Sequence, residues 1–222
     1  MFKSLLLAAS ISLLPTISLA SSISDIANST FKLYHGDEAL CSIQSIAPDK
    51  FLTAAHCVEN ADNLSVRTEV VSNSGELLSY TSYSLKVDNV NVADDTAVLS
   101  LLGPTANSFY GVDIATVEEA NKALTFGAEV IAVGYPSSEV LTVTEGLFTD
   151  KTHVPEELFE GDWFYKVTAP IVPGSSGGGL YVEINDEWKL VGTASAFNRQ
   201  VSFMNFFSTI EAVHSVLSEG NE

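Results

Sequence analysis

Short apolar runs separated by turn-forming residues indicate the fold class of this chain. From Phe31 onward the runs are rich in β-branched and aromatic residues, and Gly, Asn, Asp, Ser and Pro stand between them. The clearest of these runs are 39–46, 77–87, 96–102, 128–133, 140–148, 163–168 and 188–197. Many short strands spaced by turn signals are typical of a β-sandwich or β-barrel. The sequence therefore predicts an all-β protein.

Two stretches depart from this strand pattern. The segment from about 103 to 127 has weak strand character, and 115–124 within it could form a helical turn, so we interpret the segment as a link between two β halves. Near the C-terminus, Ser208 and Glu211 have the spacing of a capping box. Three apolar residues follow at helical spacing: Ile210, Val213 and Leu217. This pattern predicts a helix over about 208–218 that docks one apolar face.

Composition limits the classes of partner. The 222 residues include 10 Lys and Arg against 28 Asp and Glu, a formal net charge of −18 at pH 7. Nucleic-acid affinity depends largely on Lys and Arg that neutralise phosphates, so the charge argues against nucleic acid and against anionic membranes as partners. With 46% hydrophobic and 17% charged residues, the composition is that of a folded protein with a substantial core.

The first twenty residues have a pattern of their own. Lys3 precedes an apolar run over 5–19, and small residues occupy Ser18 and Ala20. A basic start, a short apolar run and small residues before a cleavage site are the marks of a secretory signal peptide. A retained anchor helix is the alternative, but the run is shorter than the roughly 20 residues that a bilayer requires. We therefore predict a signal peptide over 1–20, cleaved after Ala20, and a secreted or periplasmic protein.

Export changes the interpretation of the two cysteines, Cys41 and Cys57. In an oxidising compartment a disulfide between them would persist. The alternative is a metal site formed by Cys41, His56 and Cys57. In a strand, however, adjacent side chains point to opposite faces, so His56 and Cys57 would not easily hold one ion. We therefore favour the disulfide and expect no metal.

Three segments contain side chains that can carry chemistry, and each is ambiguous alone. His56 lies in the run TAAHC, where a lone histidine is most often structural. Asp95 lies in DDTAVL, where an acid at the head of a strand often forms a turn or cap. Ser176 lies in PGSSGGG, either a flexible loop or a segment that brings backbone N–H groups to a substrate carbonyl. Together they supply the nucleophile, base and orienting carboxylate that acyl transfer requires.

These segments resemble the chymotrypsin/trypsin-like serine proteases. TAAHC, then Asp-x-Ala-x-Leu, then Gly-x-Ser-Gly-Gly occur in the order His, Asp, Ser, and the resemblance covers most of the chain after residue 20. It implies two packed antiparallel β-barrels with a C-terminal α-helix, a Cys41–Cys57 disulfide and no cofactor. Within that plan we expect residues 21–115 to form the first barrel and residues 116–222 to form the second barrel and the helix.

The resemblance also assigns roles to the catalytic candidates. His56 would be the general base and acid, and Ser176 the nucleophile. Asp95 would orient His56, because it stands two residues before Ala97 as the motif requires. The backbone N–H groups of Gly174 and Ser176 would form the oxyanion hole. An α/β-hydrolase is the rival serine hydrolase, but its Asp and His follow the serine in sequence, which is not the order here.

Ser175 is a departure from the trypsin branch of the family. That branch has an Asp before the nucleophile, and the Asp pairs with a freshly cut N-terminal amine to activate the enzyme. Because Ser175 cannot form that ion pair, we expect the chain to need no activation beyond signal removal.

Specificity is less well indicated. Pro170 stands where the family often places the residue at the base of the P1 pocket, and Ala194 stands near where glutamate-specific relatives carry a His. Neither residue supports a basic or an acidic P1 preference. Ser195, Ala196 and Phe197 resemble the strand that pairs with extended substrates. Phe197 would either narrow the pocket toward small or medium apolar P1 residues or turn into the core.

The sequence therefore predicts a secreted serine endopeptidase that acts on protein or peptide substrates through an acyl-enzyme. Two alternatives stay open: a catalytically silent binding module on the same fold, and a serine esterase. We expect no nucleic-acid partner and no membrane contact after signal cleavage. Because catalysis needs a neutral His56, activity should fall below a pH of about 6 to 7.

Overall fold

The computed structural model describes residues 22–72, 74, 76–104, 109–153 and 163–218, so the predicted signal peptide lies outside the described residues. The helices are α1 (Ile23–Asn28), α2 (Val117–Ala123) and α3 (Ile210–Ser218). The strands are β1 (Thr30–His35), β2 (Glu38–Ala47), β3 (Lys50–Thr53), β4 (Leu64–Val71), β5 (Leu77–Asn91), β6 (Thr96–Leu101), β7 (Glu129–Gly134), β8 (Thr142–Thr152), β9 (Phe164–Val167), β10 (Gly179–Ile184), β11 (Glu187–Phe197) and β12 (Asn205–Ser208). None of the helices in these ranges has the length and apolar character needed to cross a bilayer.

The strands form two closed antiparallel barrels. Around the first barrel the order is β1-β2-β3-β6-β5-β4, and around the second it is β10-β11-β12-β9-β8-β7. This arrangement, with α3 at the end, confirms the predicted all-β, two-barrel fold class. The runs identified in the sequence correspond to β2, β5, β6, β7, β8, β9 and β11, whereas β1, β3, β4, β10 and β12 were not identified there. The boundary between residues 115 and 116 stays a prediction.

Each barrel has its own apolar core, and the segment between the barrels closes one end of the first. Phe109 in that segment is buried, and its ring contacts Phe31, Phe51 and Tyr83 edge-on at centroid distances of 5.0 to 5.1 Å. Gly111 follows where the chain passes so close to β2 that a Cβ would lie 2.5 Å from the Ile46 carbonyl oxygen. The linking segment is therefore packed into the fold, and α2 occupies the helical turn expected within it.

The start of α3 differs from the capping box predicted at Ser208. Ser208 belongs to β12, and its buried hydroxyl accepts a hydrogen bond from the Thr193 N–H at 2.9 Å. Thr209 caps the helix instead, because its Oγ1 accepts from the Ala212 N–H at 3.3 Å. The apolar face of α3 is buried as expected. Ser208 does not cap the helix, because it belongs to β12 and its hydroxyl bonds to the neighbouring strand.

Strand β5 alternates in exposure over only part of its length. Leu85 is buried and Tyr83 is half-buried, whereas Val87, the next residue in the alternation, is 39% exposed. The register against β6 shifts between Val87 and Asn89. A β-bulge of this kind bends the strand and re-aims the side chains beside it, so the simple two-residue period ends at Val87.

Candidate active site

His56 lies in a short 3₁₀ turn, Ala55–Cys57, directly after β3. The sequence predicted a strand position for His56, and that prediction is wrong. Cys57 at the end of the turn is joined to Cys41 on β2 by a disulfide with a Cα–Cα distance of 6.1 Å, which confirms the predicted pairing. Closing a loop of this length contributes about 3 kcal/mol in the chain-entropy model. The bridge therefore ties the turn that carries His56 to the wall of the first barrel.

The alternative metal site is made of the same three side chains. Donor atoms of Cys41, His56 and Cys57 lie within 4.8 Å of one another, closer than a strand would allow. Both sulfur atoms, however, are bonded to each other, and a metal ligand must be a thiolate. In the disulfide form only the imidazole is left as a donor.

Asp95 is the carboxylate that faces His56. It lies just before β6 in a left-handed conformation (φ 52°) and is 1% exposed. Its Oδ2 is 2.9 Å from His56 Nδ1, and its Oδ1 accepts from the His56 backbone N–H at 2.9 Å. Asp94 instead bonds locally to Asn91. Of the two neighbouring acids, the structure thus places Asp95 against His56, and Asp95 is the one that the motif selected.

Ser195 adds a third donor to the same carboxylate. Its buried hydroxyl lies 2.5 Å from Asp95 Oδ2 and donates to it. The sequence pattern places Ser195 only in the substrate strand and does not indicate this contact. A serine inside the apolar run of β11 was the signal that could have found it, because a buried hydroxyl almost always has a hydrogen-bond partner. With these donors the buried carboxylate is well supplied with hydrogen bonds on both oxygens.

The carboxylate affects the proton affinity of His56. Burial lowers the pKa of His56, but the hydrogen bond and charge of Asp95, with the charge of Glu59, outweigh it and raise the pKa above its ordinary value. The imidazole remains 38% exposed, so one side meets the buried acid while the other is accessible from solvent. This is the electrostatic setting of a general base.

The loop that carries Ser176 packs against the first barrel beside His56. Gly177 (φ 78°) lies so close to Thr53 Oγ1 and the Ser42 carbonyl oxygen that a Cβ would overlap both. The Ser176 carbonyl oxygen accepts from the Ser42 N–H at 2.7 Å. These contacts hold the loop of half-buried Ser176, from the second barrel, against β2 and the end of β3, where the turn of His56 begins.

The backbone N–H groups of Gly174 and Ser176 both lack an acceptor in the described part of the chain. The carbonyl of the peptide before Gly174, on Pro173, accepts from the Ser137 N–H at 2.7 Å. The carbonyl of the peptide before Ser176, on Ser175, accepts from the Gly178 N–H at 2.8 Å. In a trans peptide the N–H points opposite to the C=O. Both unpaired N–H groups therefore point away from these anchors, as donors for a developing oxyanion must.

One edge of β11 is open at its end. Ala196 and Phe197 pair with β12 on one side, but pairing with β10 on the other side ends at Thr193. Among the described residues, no strand pairs with this side of Ser195, Ala196 and Phe197, so an extended peptide could add there. Phe197 is half-buried against the core of the second barrel, so the structure favours the core interpretation of its side chain.

An apolar cavity of about 130 Å³ lies behind the segment that precedes Ser176. Pro170, Ile171, Val172 and Ser175 line it, and neither His56 nor Ser176 does. Its lining contains no charged side chain, and an unpaired ammonium is costly to bury in such surroundings. The space beside Ser175 therefore does not suit an inserted N-terminal amine.

Comparison with known proteins agrees with this geometry. A family model of the trypsin-like peptidase domain matches residues 42–192, which include all three candidate residues. Among curated proteins, no sequence matches the chain.

Solved structures show the same fold at low sequence identity. The HtrA-type protease AlgW with tripeptide has a TM-score of 0.68 at 21% identity, covering 89% of this chain and 63% of that one. A serine endoprotease from Yersinia pestis has a TM-score of 0.64 at 19% identity, covering 88% of this chain and 63% of that one. The active form of the Rv3671c protease from M. tuberculosis has a TM-score of 0.68 at 19% identity, covering 97% of this chain and 95% of that one. The chain thus spans less than two thirds of the length of the first two.

Proposed function

Because the chain belongs to the trypsin-like peptidase family, a family of serine-type endopeptidases, we propose that it is an exported protease that hydrolyses peptide bonds with His56, Asp95 and Ser176. One observation carries the assignment of residues. The buried Asp95 carboxylate accepts from both the backbone and the ring of His56, whose side chain stays 38% exposed, and the loop of Ser176 packs against Ser42 and Thr53, just before the turn of His56.

The proposed reaction begins with the tautomer of His56. Donation from Nδ1–H to Asp95 leaves Nε2 without a proton, so Nε2 takes the proton of the Ser176 hydroxyl as Oγ attacks the scissile carbonyl carbon. The carbonyl oxygen becomes an oxyanion that accepts from the N–H groups of Gly174 and Ser176. His56 then protonates the leaving amine as the C–N bond breaks. Water repeats the sequence on the acyl-enzyme and restores Ser176.

Peptides are the substrate class that the site supports best. The free edge at Ser195–Phe197 suits an extended chain, and the HtrA-type protease AlgW has been solved with a tripeptide and with a decapeptide. Position 170 is a proline and supplies no acid, and the cavity beside it is lined by no charged side chain. We therefore propose an apolar residue at P1.

Active-site labelling tests this function. The chain from residue 21 onward, treated with a serine-directed phosphonofluoridate, is expected to gain one adduct, which peptide mapping assigns to Ser176 and not to Ser175. The same material should cleave a mixed peptide library, and a version with extra N-terminal residues should do so without trimming. No adduct, where a control protease reacts, would favour a silent binding module. Turnover of esters but not of peptides would favour an esterase.

The pH dependence should report His56. Its pKa is raised in the folded chain, so the acid limb of kcat/KM should have its midpoint above about 6.5, the ordinary value of histidine. Protonation removes the base, and activity should therefore fall as pH decreases through that midpoint. Initial rates on one peptide from pH 4 to 9 measure the limb. A rate that stays flat between pH 8 and pH 4 would contradict the role of His56.

A further inference from the structure

Ser42 on β2 has no role in the reaction proposed above, yet it contacts the loop of Ser176 through both its backbone and its side chain. It is fully buried and follows Cys41, the disulfide partner of Cys57. Its hydroxyl donates to the Gly174 carbonyl oxygen at 2.8 Å, and its N–H donates to the Ser176 carbonyl oxygen at 2.7 Å. One residue of the first barrel thus holds two carbonyl groups of the loop from the second.

The direction of the hydroxyl is itself set by a third contact. Ser42 Oγ accepts from the Tyr135 N–H at 2.8 Å. A hydroxyl has one proton and two lone pairs, so accepting from Tyr135 leaves the proton directed at Gly174. Gly134 makes room for this arrangement, because a Cβ there would lie 2.9 Å from Ser42 Oγ. No solvent reaches Ser42 to compete for these bonds.

Gly174 needs such an anchor. It has φ 91°, a region open to glycine, and it lies in a glycine-rich loop with wide conformational freedom. If the peptides on either side of Gly174 rotate, its N–H moves out of the oxyanion hole. The turn of Tyr135 and Ser137 holds the peptide before Gly174 through the Pro173 carbonyl, and Ser42 holds the peptide after it.

We infer that Ser42 is a positioning residue for the oxyanion hole, whose buried hydroxyl bridges the Tyr135 N–H and the Gly174 carbonyl and keeps the Gly174 N–H in its donating direction. The inference rests on the proposed function, because it presumes that an oxyanion forms there. By this inference the first barrel helps to stabilise the oxyanion, in addition to carrying His56 and Asp95.

Ser42→Ala is the direct test, with Ser45→Ala as the matched control. Ser45 lies on the same strand, is equally buried and donates to the Ala47 carbonyl without touching the loop. Full loss of an oxyanion donor costs about 10² to 10³ in kcat, and we expect misalignment in Ser42→Ala to cost about 10- to 100-fold. KM should change less than about threefold, because the affected contact forms only in the transition state. Affinity for a peptide aldehyde should fall with kcat, and affinity for a non-covalent product peptide should not.

A second variant disturbs the hydrogen bonds of the Ser42 hydroxyl without changing Ser42 itself. Gly134→Ala would place a methyl group 2.9 Å from the Ser42 hydroxyl and 3.4 Å from the Ser175 carbonyl oxygen of the loop. It should give the same split between kcat and KM, which guards against a misfolded Ser42→Ala. Hydrogen exchange of residues 170–178, followed by mass spectrometry, should rise in both variants and not in Ser45→Ala, and this readout requires no activity. The inference would be overturned if both variants kept the wild-type kcat, the wild-type affinity for the peptide aldehyde and the wild-type rate of hydrogen exchange. The proposed function would stand in that case. A wild-type protein with no peptidase activity would contradict the function instead, and the exchange data would still decide whether Ser42 anchors the loop.

Discussion

Ser176→Ala is expected to lower kcat by about a million-fold, the effect of removing the nucleophile from a serine protease triad. The neighbouring Ser175 hydroxyl cannot replace it, because Ser175 is buried and lines the cavity behind the loop. The activity that remains should be a small enhancement over uncatalysed hydrolysis, from the oxyanion donors and substrate binding alone. Cleavage of a fluorogenic peptide at saturating substrate measures the change.

Ser175→Ala is the matched control for that experiment. It removes a hydroxyl of the same loop, which accepts a long hydrogen bond from the Val172 N–H at 3.4 Å, and it leaves the backbone contacts of the loop unchanged, so we expect it to keep most of the activity. Thermal unfolding of Ser176→Ala should match the wild type closely, since Ser176 is only half-buried and donates no side-chain hydrogen bond within the described residues. If Ser175→Ala were the inactive variant, the assignment of the nucleophile would be wrong.

Asp95→Asn is expected to lower kcat by about 10⁴-fold at neutral pH. Asp95 accepts from the backbone N–H of His56, from its Nδ1 and from the hydroxyl of Ser195. The asparagine amide has only one oxygen that can accept from these donors. Its NH₂ group replaces the second oxygen and faces a donor that needs an acceptor. To accept from that NH₂ group, His56 must leave Nδ1 unprotonated and carry its proton on Nε2, so that no base faces Ser176.

The pH profile separates this mechanism from simple damage to the fold. Loss of the Asp95 charge removes an influence that raises the pKa of His56, so the acid limb of any residual activity should move to lower pH. Asp94→Asn is the control, because Asp94 bonds to Asn91 and not to His56. An Asp95→Asn variant that keeps kcat within about tenfold of wild type, while Asp94→Asn loses activity, would reverse the choice between the two acids.

Several features of the site were readable in the sequence for physical reasons. The chemistry of acyl transfer needs particular residue types, and the motifs around His56, Asp95 and Ser176 contain them in the family's order. The strand runs identified the all-β class, because β-branched and aromatic residues favour strands and Gly, Asn, Asp, Ser and Pro favour the turns between them. The Cys41–Cys57 bridge followed from export and from the resemblance.

Other features depended on contacts between distant parts of the chain. Ser208 looked like a helix cap, but tertiary pairing placed it in β12, with its hydroxyl on Thr193. In β5 the register against β6 shifts after Val87, which is exposed where a simple two-residue period would bury it. The strand geometry assumed for His56 failed because the residues after β3 form a 3₁₀ turn.

Local sequence was enough to predict which residues can perform the chemistry and that the chain is all-β, because residue type and apolar period are local properties. How those residues are held became clear only from contacts in the folded chain. Ser195 meets Asp95 across a separation of 100 residues, and Ser42 meets Gly174 across 132. A hydrogen bond depends on distance and direction in space, and no local pattern of residues encodes which buried hydroxyl of one barrel will face which carbonyl of the other.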